Sequence, residues 1–241
     1  MTVLTDRAVD PVILGDLAQV RLGQAFLSRA LNEVKNEDLV RPSALPGWSR
    51  AHVVAHVGYN ARALNRLVDW AATGIVTPMY SSPLERDEEI ELGSTLAPRA
   101  LRHLSDHAAI ALDVAWRDLP QERWSETVKT ARGREVPVSE TVWMRTREVW
   151  LHAVDLGTGS RLADVPGPVG ERILSDVLEV WSSRGEAPVR LVADDSGTVI
   201  GEPGGSVLEG RLSDLLGWAT GRSVRGVRSA SGDVLPAPRW I

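Results

Sequence analysis

A chain of 241 residues with 27 basic and 32 acidic side chains carries a net charge of −5, without the clustered positive surface that a strong phosphate-backbone binder needs. Nucleic acid is therefore not an expected partner. A hydrophobic share of 43% beside 24% charged residues is that of a folded globular protein, long enough for one large domain or two small ones.

No stretch approaches the roughly 20 apolar residues of a membrane span, and the start from Met1 to Arg7 lacks the apolar run of a signal peptide. The expectation is a cytoplasmic protein with no membrane partner, a monomer or small homo-oligomer. The chain has no cysteine, which removes disulfides, thiolate metal sites and an internal sulfur nucleophile together. Any sulfur chemistry must use a thiol brought from outside.

In chain order, Asp10-Pro11 reads as an N-cap followed by proline at the first helical position. Ile13, Leu17, Val20, Leu27, Leu31 and Val34 then recur at spacings of three, four or seven, predicting an amphipathic helix that ends near Lys35. After a connection containing Pro42, Pro46 and Gly47, Ser49 can cap a second helix running to about Gly74. The stretch from Thr77 to Gly93, with Pro78, Pro83 and an acidic run, reads mostly as a loop. A third helix follows, with Pro98 in its first turn and Leu101, Leu104, Ala108, Leu112 and Trp116 on one face.

Residues 128–136 predict a short hairpin around Arg132-Gly133. A fourth helix begins near Ser139 or Glu140 and ends before Gly157, a residue suited to the left-handed position behind a helix. Four long helices within 157 residues predict a bundle, whose interior can hold metal ligands projected from facing helices. Beyond Gly157 come a helix reaching Trp181, a strand over 189–193, strand candidates at 198–200 and 206–209, and a short helix from Arg211 to Ala219. The fold class is thus mainly α with a smaller α/β part, divided as 1–160 and 161–241.

The second and fourth helices carry the candidate chemistry. His52 and His56 lie four residues apart, as do Glu148 and His152, so two histidines and one carboxylate can form half of an octahedral shell or three corners of a tetrahedron. Each residue also has an ordinary alternative. Thr141, Arg145, Glu148, His152 and Asp155 line one helix face, which fits the solvated side of an amphipathic helix. His56 stands among Val53, Val54 and Val57 as a hydrogen-bonded core histidine would. His52, in the first turn, is expected to be exposed or to lie behind the ligands. His103 and His107, also four apart, form a rival pair read as surface residues.

The sequence resembles the mycothiol-dependent maleylpyruvate isomerase family of DinB-like four-helix bundles. The resemblance rests on Leu45-Pro46-Gly47-Trp48-Ser49 leading through His52 and His56 to Asn60, and on Thr77-Pro78-Met79-Tyr80 with Arg86-Asp87-Glu88-Glu89-Ile90. It continues from Trp143-Met144-Arg145 through Glu148, Trp150, His152 and Asp155, then Gly221-Arg222 and Pro238-Arg239-Trp240, and so covers nearly the whole chain. It implies that His56, Glu148 and His152 bind a divalent metal, zinc by preference, and that Arg222 takes part in catalysis. Read from the residues alone, Arg222 is a helix C-cap.

The reaction implied is a cis-trans isomerisation of maleylpyruvate to fumarylpyruvate in gentisate-type aromatic degradation, with mycothiol as cofactor and a small keto-dicarboxylate as substrate. Arg86 is a second candidate for holding a substrate carboxylate, or else balances Asp87, Glu88 and Glu89. Two rival functions share these motifs: a mycothiol S-transferase on the same bundle, and a non-catalytic metal- or thiol-binding stress protein.

Overall fold

The structure is a computed structural model that describes residues 5–229 and 232–240; Met1 to Leu4, part of the start expected to lack a signal peptide, lie outside the described residues. The first helix, α1, spans Pro11–Glu33, and the Asp10 carboxylate accepts from the Val12 amide at 2.8 Å, satisfying one orphan donor of the first turn. Leu17, Val20, Leu27 and Leu31 form its buried stripe. α2 spans Arg50–Thr73 and stops at Gly74, whose φ of 75° lies in the left-handed region open to glycine.

The stretch read as a loop contains a helix, α3, over Pro83–Ser94. Ser82 caps it by accepting from the Glu85 amide at 3.1 Å, with Pro83 at the first helical position, and the acidic run is its exposed face. The weak apolar pattern hid it, because Ile90 and Gly93 suffice to seat it on α2: a Cβ at Gly93 would lie 2.6 Å from the Tyr59 ring. α4 spans Pro98–Asp118 with the five expected apolar residues buried. β1 (Thr127–Lys129) and β2 (Glu135–Pro137) pair antiparallel around Gly133 at φ 81°, and α5 covers Glu140–Asp155 with Gly157 at φ 64° behind it.

α1, α2, α4 and α5 make a four-helix bundle in which α2 packs on α4 and α5, and α1 packs on α5. At the α1–α5 crossing Gly23 admits the approach, since a Cβ there would stand 2.6 Å from both Val149 Cγ2 and Trp150 Nε1. Trp150 lies 4.9 Å, centroid to centroid, from Phe26 in a tilted pair, so it packs the same crossing. No helix of the described residues is long and apolar enough to cross a membrane.

The chain divides into two compact units, 1–159 and 160–241. The second unit contains α6 (Gly167–Ser183), β3 (Val189–Ala193), β4 (Val199–Ile200), β5 (Ser206–Gly210), α7 (Leu212–Ala219) and β6 (Arg228–Ser229). Its sheet order is β4-β3-β5-β6, with β3 and β5 parallel from Val189 opposite Ser206 to Ala193 opposite Gly210 and both outer pairs antiparallel. β6, only two residues long, carries no periodic signal and was not among the expected strands. Trp181 of α6 and Trp218 of α7 meet edge to face at 5.5 Å in this unit's core. The fold is thus mainly α with an α/β C-terminal part.

Two glycines of α1 should respond oppositely to alanine. Gly23→Ala overpacks the α1–α5 crossing and is expected to cost about 1–3 kcal/mol. Gly15→Ala meets nothing within 4 Å and should stabilise by about 0.5–1 kcal/mol through helix propensity. Denaturant unfolding of the two variants checks the pair of signs.

Candidate metal centre

Two histidines at the start of α2 have the same spacing from one another as any i, i+4 pair, yet the helix start treats them differently. Ser49 Oγ accepts from the His52 amide at 3.4 Å, and the His52 ring folds back so that Nδ1 accepts from the Ser49 amide at 3.3 Å. The Ser49 hydroxyl lies 2.6 Å from that same nitrogen. This reciprocal cap engages one nitrogen of the ring, while the other, Nε2, lies 3.4 Å from Glu91 Oε2. His52 therefore lies outside the cluster, in a cap rather than among the donors.

One turn later His56 points inward and is 7% exposed. Its Nε2 lies 2.8 Å from Glu148 Oε2, and His152 Nε2 lies 3.2 Å from the same oxygen. The two imidazoles stand edge to face with centroids 4.7 Å apart, and donor atoms of all three residues fall within 4.8 Å of one another. The Trp48 ring lies 5.5 Å from His56 and 6.2 Å from His52, forming an aromatic wall beside both. Among the described residues this is the one group of three or more such donors placed to hold a metal ion.

The α5 face that sequence reasoning allowed as solvated turns inward instead, with Thr141, Arg145 and Asp155 buried and Glu148 and His152 partly buried, because its polar groups find partners inside the bundle. Trp116 Nε1 donates to Thr141 Oγ1 at 3.0 Å, and that hydroxyl donates to the Val138 carbonyl at 2.6 Å. Arg145, 2% exposed, donates through Nη1 to the Val57 carbonyl at 2.6 Å and Asn60 Oδ1 at 3.0 Å, and through Nη2 to Gln24 Oε1 at 2.9 Å. Glu148 follows one turn on, then His152, whose Nδ1 is held 2.8 Å from Oδ2 of the fully buried Asp155. A carboxylate on the far nitrogen fixes an imidazole's orientation and raises its basicity as a ligand.

The electrostatics sort these groups. Burial pushes the His56 imidazole below its ordinary range against the pull of Glu148. Burial opposes ionisation of Glu148, but the charges and hydrogen bonds of His56 and His152 hold its carboxyl well below the usual range. Burial also opposes the charged form of His152, yet Asp155 and Glu148 together raise it to about 9. Burial brings Arg145 down to about 10, with Glu148 working the other way. His56 Nδ1 is buried without a hydrogen-bond partner. The internal hydrogen bonds thus leave an imidazole atom uncompensated in a set of nitrogen and oxygen donors whose chemistry fits zinc or a similar dication.

His103 and His107 are exposed on α4 with centroids 5.5 Å apart, and among the described residues they form no group of three donors. Arg86 bonds Asp87 at 2.8 Å, and its positive charge also reaches His56, where it works with burial to lower the imidazole. In the second unit Arg222 follows α7: its amide donates to the Gly217 carbonyl at 2.8 Å and its Nη1 to the Thr220 carbonyl at 3.1 Å, which is a C-terminal capping geometry. Arg145 is the residue whose environment sequence reasoning missed; its place three before Glu148 on the same face was the available signal.

A helical bundle with a buried two-histidine, one-carboxylate cluster defines a class of metal-capable bundles. Residues 20–157 match the family described as the mycothiol maleylpyruvate isomerase N-terminal domain. Two crystal structures, of a mycothiol-dependent maleylpyruvate isomerase and of a histidine-to-alanine mutant of it, are each 44% identical to this chain. They match with a TM-score of 0.91 over 95% of this chain and 97% of theirs. Comparison with curated protein sequences gives no match. The chain belongs to the mycothiol-dependent maleylpyruvate isomerase family.

Metal analysis separates the two neighbouring histidines. His56→Ala is expected to lose bound zinc, whereas His52→Ala should keep it and lose about 0.5–2 kcal/mol of stability with its cap. Full zinc in the first variant and none in the second would reverse the assignment.

Proposed function

We propose that this protein is a mycothiol-dependent isomerase that converts maleylpyruvate to fumarylpyruvate, with His56, Glu148 and His152 holding a divalent metal, zinc by donor chemistry. The observation that carries this reading is the convergence of the three donors inside a chain 44% identical, over nearly its whole length, to a protein of that activity. In this reading the 1–160 domain binds metal and the 161–241 domain supplies Arg222. The reaction belongs to gentisate-type aromatic degradation in the cytoplasm, and the partners are a keto-dicarboxylate substrate and a small-molecule thiol.

The chemical problem is that a carbon–carbon double bond does not rotate. Reversible addition of an external thiolate answers it: the sulfur bonds to the alkene carbon beside the carboxylate while the alkene electron pair moves to the diketo side as an enolate, the resulting single bond rotates, and return of that pair breaks the carbon–sulfur bond, restoring the alkene as trans and releasing the thiolate. A dication in this cradle supplies stabilisation of the sulfur as thiolate near neutral pH. The chain itself has no cysteine to perform this step.

The residues of the chain have distinct tasks in this scheme. Glu148 remains ionised, and His152 is held in one orientation by Asp155. The substrate carries two carboxylates, for which a planar guanidinium offers paired hydrogen bonds, the task assigned to Arg222. Its bond to the Thr220 carbonyl uses Nη1 as a cap.

Purified protein incubated with zinc, mycothiol and maleylpyruvate should yield fumarylpyruvate with the thiol recovered unchanged. A stable thioether product would instead establish a transferase, and sustained turnover without thiol would defeat the addition scheme. Arg222→Ala should lower kcat/KM by roughly ten- to a hundredfold, the loss of a charged hydrogen bond, with zinc content unchanged. Unchanged kinetics in a destabilised protein would reduce Arg222 to its cap.

A further inference from the structure

Among the described residues the formally charged side chains counted as buried, histidine aside, are Arg145 and Asp155. Asp155 bonds His152, but the hydrogen bonds of the Arg145 guanidinium go to neutral acceptors: a backbone carbonyl and the amide oxygens of Asn60 and Gln24. Arg21 shows the usual arrangement in the same bundle, half exposed and bonded to both Asp6 and Asp113 at 2.6–2.8 Å. A neutral side chain could tie the same three helices without the desolvation cost of a buried cation. The charge itself therefore calls for a role.

That role follows from position and charge balance. Arg145 stands one turn before Glu148 on the inward face of α5, and the Glu148 charge bears on its guanidinium. Glu148 and Asp155 together carry two negative charges, which one dication with neutral imidazoles would cancel. The guanidinium adds one further positive charge, and none of its own hydrogen bonds goes to a carboxylate.

We infer that Arg145 is a fixed buried cation that gives the loaded site a surplus positive charge, favouring uptake of one monoanion at the metal and weakening the hold on the metal itself. The inference rests on the metal reading proposed above and deepens it: in the reaction the monoanion is the thiolate. Arg145 acts through the field it sets up and is a positioning residue, since it touches neither donor atoms nor substrate in the contacts described.

The two roles open to Arg145 predict opposite signs. As a structural tie, its loss loosens α5 and weakens metal binding. As a like charge beside the metal, its neutralisation tightens metal binding while weakening anion binding. Four variants test this: Arg145→Met removes the charge, Arg145→Lys keeps it, and Asn60→Asp or Gln24→Glu keeps the ties but sets a carboxylate on the guanidinium. Zinc affinity of the apoprotein is read by competition with a chromophoric chelator, and azide affinity by visible absorption of the cobalt-loaded protein at fixed pH.

Arg145→Met, Asn60→Asp and Gln24→Glu are each expected to bind zinc roughly tenfold more tightly and azide roughly tenfold more weakly than wild type, with Arg145→Lys near wild type in both. Weaker zinc binding in the folded carboxylate variants, or unchanged azide affinity, overturns the inference while leaving the metal reading intact. If Arg145→Met fails to fold, the carboxylate variants decide alone. Absence of zinc binding in the wild-type protein is a different result, which removes the metal reading and the inference with it.

Discussion

The inward polar row of α5 is the constraint on which the bundle is built. Thr141, Arg145, Glu148, His152 and Asp155 occupy a face that in most bundles is filled by leucine and valine, and an unpaired polar group there costs about 1–3 kcal/mol or more. The surrounding helices are shaped by the need to meet that cost. α4 brings the Trp116 indole, α2 brings the Val57 carbonyl, Asn60 and His56, and α1 brings Gln24. Each helix of the bundle is thus fixed in rotation and height by a directional bond as well as by packing, which is non-directional and tolerates sliding.

Packing completes the fixation at the positions where the polar row leaves room. Gly23 lets α1 approach α5 at Val149 and Trp150, directly beside Glu148, and Gly58 does the same between α2 and α4, where a Cβ would stand 3.0 Å from Leu104. The carboxylate is held on both sides: its own helix is pressed against α1, and its oxygen meets imidazoles from α2 and α5. A rigid support of this kind favours a site whose donors must stay in one arrangement while a ligand comes and goes.

Much of this was legible in the sequence because caps and periodicity act locally. Asp10-Pro11, Ser49, Gly74 and Gly157 mark helix ends by chemistry that needs no tertiary partner, and Leu101 through Trp116 mark a buried face by spacing alone. α3 was hidden for the converse reason: its exposed acidic face imitates a loop, and it is seated by Ile90 and Gly93 rather than by a long apolar stripe. The inward turn of the α5 polar row was also beyond local reasoning. Spacing shows that five polar residues share a face, but only partners from three other helices determine that the face points inward. His56 and His52 differ for the same kind of reason, since the cap that engages His52 is a property of how Ser49 begins the helix.

That cap has a consequence for how the chain can vary in length. An α-helix turns about 100° per residue, so the direction of His56 is counted from the point where Ser49 starts α2. One residue inserted between Ser49 and His56 would swing the imidazole a quarter turn or more away from Glu148, or force the helix to begin in a segment with no cap. The same insertion in the connection around Pro42 to Gly47, ahead of the cap, leaves the count untouched. The start of α2 thus works as an index mark: a length change beyond Ser49 re-aims His56, whereas one ahead of it acts on the pairing of Pro42 with Ser49 and not on the helical count.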